Sequence, residues 1–452
     1  MTRNVMSVMS AVILLAAARI EAQAPQSPPV PPPVRVEPLP AARYLDPVNG
    51  LSLENAIALA WRQEPSLRAA RTGVDVAAGR RQQAALRANP TATFERRQEP
   101  AGTDNQTTIG MELPLELFRR GARVDAAERE IGVSRYEIAD RERQLAADVR
   151  ARYGDVLTAI RELAVLDELL TAIGRQLSLV GARVTEGAAP PLERDLLDVD
   201  VRRLAASRRL RAARVDAAFV LLRRIIGVDP AAPMTVRETL EGVVARESAS
   251  SAPRTADAES VILKRPDVLA ADARIGAADA RIRQSASEGR FDVSLFASYM
   301  RMDAGFPQRG FGPGGGVERV RGLFNYVAGG AMVTLPLWNR NQGTIAAARA
   351  ERAGAAAARD AAVLQAQAEL AVALVEDAGA HEAVAQYREG VRPLARRNLS
   401  VVGETFELGR GTLFDVLAEQ RRFLDVEEAY TDALRAAFEA RARLQLALGD
   451  FR

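Results

Sequence analysis

Two stretches of the chain run a strand straight into a helix. VTLPLWNRNQGTIAAARAE, Val333 to Glu351, begins with alternating side chains and ends in an alanine-rich helical pattern, and MELPLELFRRGARVDAAERE, Met111 to Glu130, does the same. Leu113-Pro114-Leu115 and Leu335-Pro336-Leu337 stand 222 positions apart, as do Gly187 and Gly409, and Gly227 and Gly449. A shared interval at three landmarks marks one unit written twice. Pro65 and Pro266 are offset by 201 instead, so the second copy holds about 21 extra residues before its Leu-Pro-Leu. Turn chemistry places them in the glycine-rich stretch AGFPQRGFGPGGG, Ala304 to Gly316, at a hairpin tip.

The units span residues 51–230 and 255–452, joined by a connection over 231–254, and each reads as short helix, helix, strand, strand, long helix, returning helix. Pro65 and Pro266 suit the first turn of a helix, where no amide partner is lost. The hairpins fall at about 90–115 and 291–337. In the second, Phe291, Val293, Leu295, Ala297 and Tyr299 alternate with Asp292, Ser294 and Ser298. In the first, Ile109, Met111 and Leu113 alternate well, whereas Thr91 to Arg97 carries Glu95, Arg96 and Arg97 and gives the weaker strand pattern.

From Arg119 to about Val184 there is no proline, which predicts one helix about 100 Å long at about 1.5 Å per residue. Its five glycines, at 121, 132, 154, 174 and 181, suit close approach of neighbouring helices. The returning helix carries Leu197, Val201, Leu204, Val215, Phe219, Leu222 and Ile226 at alternating three and four spacings, with Arg208 in one slot, which is coiled-coil packing. The last helix shows two apolar stripes, one through Leu413, Leu417, Leu424, Leu434 and Phe438 and the other through Val416, Phe423, Tyr430, Ala437 and Leu444. Two seams require neighbours on both sides, in a closed wall of helices or in a bundle.

The N-terminus is an export address. Arg3 precedes an apolar run from Val5 to Ala18, and Ala22-Gln23-Ala24 fits a cleavage signal, so residues 1–24 read as a signal peptide and 25–50 as a proline-rich linker. No later segment is apolar enough for a transmembrane helix. Cysteine is absent and His381 is the single histidine, which leaves thiolate sites excluded and zinc poorly supplied. A net charge of +3 with arginines scattered among acids points to no nucleic acid. No phosphate loop or nucleophile elbow is present, so no catalysis and no cofactor is expected.

Four strands cannot close a membrane barrel, and lipid offers no partner for an open edge, so an exported four-stranded chain must share a barrel with copies of itself. The strand-to-helix passages then mark the plane where a sheet barrel becomes a helical barrel. Pro114 and Pro336 end the ladders there, and Phe118 and Trp338 suit the membrane interface.

At these residues, from LSLENAIALAWRQEPSLRAA at Leu51 to FELGRGTLFDVLAEQRRFL ending at Leu424, the chain resembles the outer membrane efflux protein family, the TolC-like outer membrane factors. The resemblance implies a mixed α and β membrane protein: a homotrimer whose α-helical barrel crosses the periplasm and continues into a transmembrane β-barrel in the outer membrane. It implies a passive conduit docked to a periplasmic adaptor (membrane fusion protein) and an inner-membrane pump of the resistance-nodulation-division class, surrounded by outer membrane lipid. LPLWNRNQGTIAAARAE is most similar to the branch serving heavy-metal or other cation exporters. The resemblance also implies an entrance gate at the far helical turns, with Phe406, Asp415 and Glu193 as candidates, while Gly411 and Ala418 replace positions that can carry charge. Thr412 and Asp415 equally form a Thr-x-x-Asp capping box. Two other readings are a periplasmic coiled-coil scaffold or adaptor and the outer membrane conduit of a type I secretion system; a soluble monomer is the mark of the scaffold.

Overall fold

In a computed structural model, residues 41–100, 104–248 and 258–449 are described. The signal peptide and residues 25–40 of the linker lie outside them. Residues 41–50 differ from the expected linker: Ala41–Tyr44 form a 3-10 turn with Tyr44 buried, and Leu45 bridges to Val236. The described part of the connection, residues 231–248, is likewise structural, because Val236 is fully buried and a helix begins at Leu240. Apolar side chains decide both differences, since Tyr44, Val236, Leu240, Val243 and Val244 all enter one core.

The elements follow the expected order. Helices α1 (Leu53–Gln63) and α2 (Pro65–Ala85) lead into strands β1 (Thr91–Gln98) and β2 (Asn105–Pro114), then into α3 (Arg119–Thr185) and α4 (Pro191–Ile225). Helices α5 (Leu240–Ser248) and α6 (Ala258–Ile262) precede α7 (Pro266–Glu288), β3 (Asp292–Phe311), β4 (Val317–Thr334), α8 (Gln342–Gln386), α9 (Arg392–Glu407) and α10 (Leu413–Leu448). Ser52 caps α1 by accepting from the Asn55 amide, and Glu64 caps α2 by accepting from Leu67 at 2.6 Å. Four helix ends share one solution: Gly187, Gly227, Gly409 and Gly449 follow α3, α4, α9 and α10 with φ of 74°, 75°, 75° and 69°, the left-handed conformation glycine adopts without steric cost. After α3 and α9 the pattern is complete, with Ala188 N donating to Arg183 O at 2.8 Å and Arg410 N to Thr405 O at 3.0 Å.

The helices pack as open layers. Near the sheet α2, α3, α7 and α8 lie side by side, and farther away α4, α3, α10 and α9 do so. Both seams of α10 are covered within this one chain, by α3 on one side and by α8 and α9 on the other. In α4, Leu197, Leu204, Arg208, Val215, Phe219 and Leu222, and Ile226 just after it, are buried as the spacing predicts, and Arg208 pairs with Asp167. Leu192, Val199 and Leu210 on α4 and Leu364, Val372 and Val375 on α8 remain exposed. Between α8 and α9 the helix widens into a π turn, Tyr387–Val391, where the Arg392 amide donates to Tyr387 O five residues back and gives room to Pro393. Buried Glu427 pins that turn to α3, accepting from Arg392 at 2.6 Å and Arg161 at 2.9 Å, with both guanidiniums over the Tyr430 ring.

The strands form one antiparallel sheet in the order β1-β2-β3-β4. The glycine-rich loop is shorter than expected: β3 runs on to Phe311, leaving 312–316 as the turn, with a register shift between Gly305 and Arg309 where Pro307 has no amide to donate. The other tip, after β1, includes residues 102 and 103, which are outside the described residues. Register brings Phe94, Ile109, Tyr299 and Val327 into one row, and on the same face Ala92, Met111, Ala297 and Gly329 into the next, then Leu113, Leu295 and Ala331, then Val293 and Val333. The opposite face carries Glu95, Thr108, Thr93, Ser298, Thr91 and Glu112, together with Phe296 and Tyr326. Val327 is 85% and Phe94 72% exposed, so nothing among the described residues covers the apolar face. No helix among the described residues is long and apolar enough to cross a membrane.

Of the five glycines in α3, only Gly154 meets a neighbour: a Cβ there would lie 2.5 Å from the buried Phe438 ring, while 121, 132, 174 and 181 have open space within the chain. Gly154→Ala gains roughly 1 kcal/mol of helix propensity and incurs roughly 1–3 kcal/mol of overpacking. The expected result is a lower melting temperature in detergent for Gly154→Ala and a raised one for Gly73→Ala on α2, where nothing lies within 4 Å. Equal shifts in the two variants would contradict this packing.

Candidate functional site

Two regions hold the residues singled out in the sequence: the strand-to-helix passages, and the turns at the other end of the long helices. In the first passage Pro114 is the last ladder residue of β2, opposite Ser294, and the Leu115 amide still donates to Val293 O at 2.9 Å. Glu116 takes φ of 44°, and its carboxylate holds Arg123 at 2.8 Å. Phe118 sits at the N-terminus of α3 with its ring edge-on to Phe291 at 5.1 Å. Arg119 pairs with Asp292 at 2.9 Å.

In the second passage Pro336 and Trp338 lie in residues 335–341, and Trp338 is 88% exposed. Asn341 adopts φ of 60° and donates through Nδ2 to Ser285 O at 2.8 Å. The chain crosses Gly289 so closely that a Cβ there would lie 2.2 Å from Arg340 O. Both passages therefore rest against the C-terminal end of α7, which makes that helix the common support of the two motifs. Gly289 is a residue the sequence pattern did not flag, because only the fold brings Arg340 over it.

At the far end, Thr412 and Asp415 make the capping box at the start of α10. The Asp415 amide donates to Thr412 Oγ1 at 3.3 Å, and Asp415 Oδ2 accepts from the Thr412 amide at 3.2 Å and hydroxyl at 2.6 Å. The hydroxyl bond first, and the amide bond second, hold the exposed carboxyl below the usual carboxylate range. Glu193 lies half-buried in the first turn of α4. Phe406 is 4% exposed and packs with Leu413, Val416, Leu197 and Val180, because α9 turns it into the seam between the hairpins. Exposed apolar groups at these turns are Leu408, Phe414 and Leu192 instead.

Sequence reasoning missed Arg183. From the last turn of α3 it donates to Phe406 O at 3.4 Å and to Glu407 O, and its guanidinium lies 5.8 Å from the Phe406 ring centre. It thus caps the carbonyl end of α9 and ties the two helical turns together. A basic residue in a last helical turn is a common signal, but its partner carbonyls are more than 220 residues away. Among the described residues no group of His, Asp and Glu is arranged to hold a metal ion.

The family described as outer membrane efflux protein matches residues 56–228 and again 258–450. The chain belongs to this family. It is an outer membrane efflux protein, and not an enzyme. The chain is similar in fold to CusC, at 16% identity and a TM-score of 0.71, covering 88% of this chain and 91% of that one. It is also similar to a membrane protein from Pseudomonas aeruginosa, at 23% identity and a TM-score of 0.69, over 88% and 90% of the two chains. The open-state MtrE outer membrane channel of Neisseria gonorrhoeae shares 20% identity and a TM-score of 0.68 over 88% of each chain. No curated protein matches the sequence.

Asp415 keeps its carboxylate bonds above about pH 4, and they are lost as pH falls through its lowered folded-state value. Asp415→Asn is expected to lower the melting temperature at pH 7, with the gap to wild type closing as the pH is taken below 4. A gap that is constant with pH in thermal melts of the two purified proteins would exclude the charged cap.

Proposed function

We propose that three copies of this chain form a passive conduit from the periplasm to the exterior. Each copy contributes four strands to one β-barrel and its helical layers to one α-barrel. The observation that carries this reading is the sheet: among the described residues its β1 and β4 edges are unpaired while one face is an uncovered apolar band. In lipid an unpaired backbone group costs several kcal/mol, so the edges of neighbouring copies must pair. The exposed apolar positions of α4 and α8 suit the corresponding helical contacts. The family's matching over two segments, with the recurring glycine turns, supports a duplicated unit.

The apolar face meets lipid and the polar face lines the lumen. A periplasmic adaptor and an inner-membrane pump of the resistance-nodulation-division class supply delivery and energy, consistent with the family. Heavy-metal cations or drugs are the cargo classes we favour, on the likeness of LPLWNRNQGTIAAARAE to the cation branch. The far turns form the entrance, where Asp415 and Glu193 supply carboxylates, and Arg183 holds the two hairpins in one arrangement. Trp338 and Phe118 lie at the inner membrane interface of the barrel.

The test uses the chain's lack of cysteine. A single cysteine at Gly314 is expected to react with an impermeant maleimide on intact cells, whereas one at Ala188 reacts only after the outer membrane is permeabilised. The purified protein should run as a trimer in detergent and conduct ions in planar bilayers. A periplasmic soluble monomer, or the reverse labelling pattern, would overturn the conduit.

A further inference from the structure

The continuous apolar band of the sheet ends at the Tyr299 row, with Leu323, Val317 and Phe311 as separate apolar residues farther along the same face. Continuing on that same face away from the helices, Arg96 and Arg301 flank Thr107, Arg321 stands opposite Gly305, and Arg309 and Arg319 stand directly opposite each other. All five are exposed, and among the described residues none makes an ion pair, whereas Arg97 on the opposite face pairs with Glu95 at 2.8 Å. Asp303 is the acidic group interspersed among them, opposite Leu323. Like charges directly across a ladder destabilise it unless an anion lies between or beside them. These arginines therefore have unmet charge on the side of the sheet that faces lipid, immediately beyond the acyl-chain band.

Resting on the conduit reading, which puts this end of the sheet at the cell exterior, we infer that the five arginines form a belt that binds phosphates of outer-leaflet lipid headgroups. The height of the belt selects the headgroup. From the Arg301 row to Arg319 is six residues along β4, roughly 20 Å at about 3.3 Å per residue, or roughly 14 Å along the normal for a strand tilted about 45°. A phospholipid headgroup layer is only roughly 5–8 Å deep. A phosphorylated saccharide headgroup, the chemistry of lipid A and its attached core sugars, spans that height and offers several phosphates to guanidinium donors.

The full-length protein in detergent is titrated with bisphosphorylated lipid A, with dephosphorylated lipid A and with inorganic phosphate, and bound lipid is read by native mass spectrometry. An arginine near an anionic lipid surface contributes roughly fivefold in affinity, so R301Q/R319Q/R321Q should bind bisphosphorylated lipid A roughly a hundredfold more weakly. The matching triple lysine variant should stay within roughly tenfold of wild type, and R97Q should be unchanged. Dephosphorylated lipid A should not distinguish the variants, and equimolar inorganic phosphate should not displace the lipid. Equal affinity in wild type and the glutamine triple overturns the belt, as does displacement by inorganic phosphate, which would mark a free-anion site. Alkaline carbonate extraction of membranes from the cells that produce the protein separates the two readings: wild-type protein released as soluble overturns the conduit and the belt together, whereas embedded protein with arginine-independent lipid binding overturns the belt alone.

Discussion

A β-sheet in lipid has no water to satisfy its edges, and the described residues of this chain form four strands. The rest of the molecule is arranged around that deficit. The unpaired edges are at β1 and β4, and the helical layers repeat the theme, because the outermost helices of each layer have a neighbour on one side only. In each case the missing partner has the chemistry of what the chain itself presents: backbone ladder groups at the sheet edges, apolar side chains on α4 and α8.

Continuity between sheet and helices is the second constraint. Leu115 to Phe118 make the turn in four residues, which needs the left-handed Glu116 and its bond to Arg123; the second passage takes seven, with left-handed Asn341. The second leans on Gly289 at the end of α7, where no side chain fits, and the first on Phe291 and Asp292 just beyond it. Strain at a few positions is thereby held by packing around them, so that a sheet and helices of very different side-chain spacing share one wall.

Along the helices, the buried charges are paired across elements: Glu427 with Arg161 and Arg392, Asp377 bidentate with Arg441, and Arg265 with Asp267 and Glu369. Such pairs contribute little net stability, but removing one partner leaves an uncompensated buried charge. They penalise sliding of one long helix against the next more sharply than the alanine-rich seams do. Those seams carry small side chains that would fit in several registers.

The sequence alone determined the repeated strand-to-helix passages, the 67-residue helix α3, the α4 seam and the weak but real strand β1, since each follows from local periodicity, proline and glycine. It also carried the family, through the ordered motifs of both halves. The full length of β3, the burial of Tyr44 and Val236, the inward turn of Phe406 and the clamp at Arg183 were decided by tertiary structure. The physical reason is common to all four. A glycine- and proline-bearing segment becomes strand only when a partner strand supplies its ladder, and an aromatic or arginine takes its role from partners that lie far along the chain. The second seam of α10 shows the same limit from the other side: periodicity predicted its neighbours, but only packing showed that they belong to the same chain.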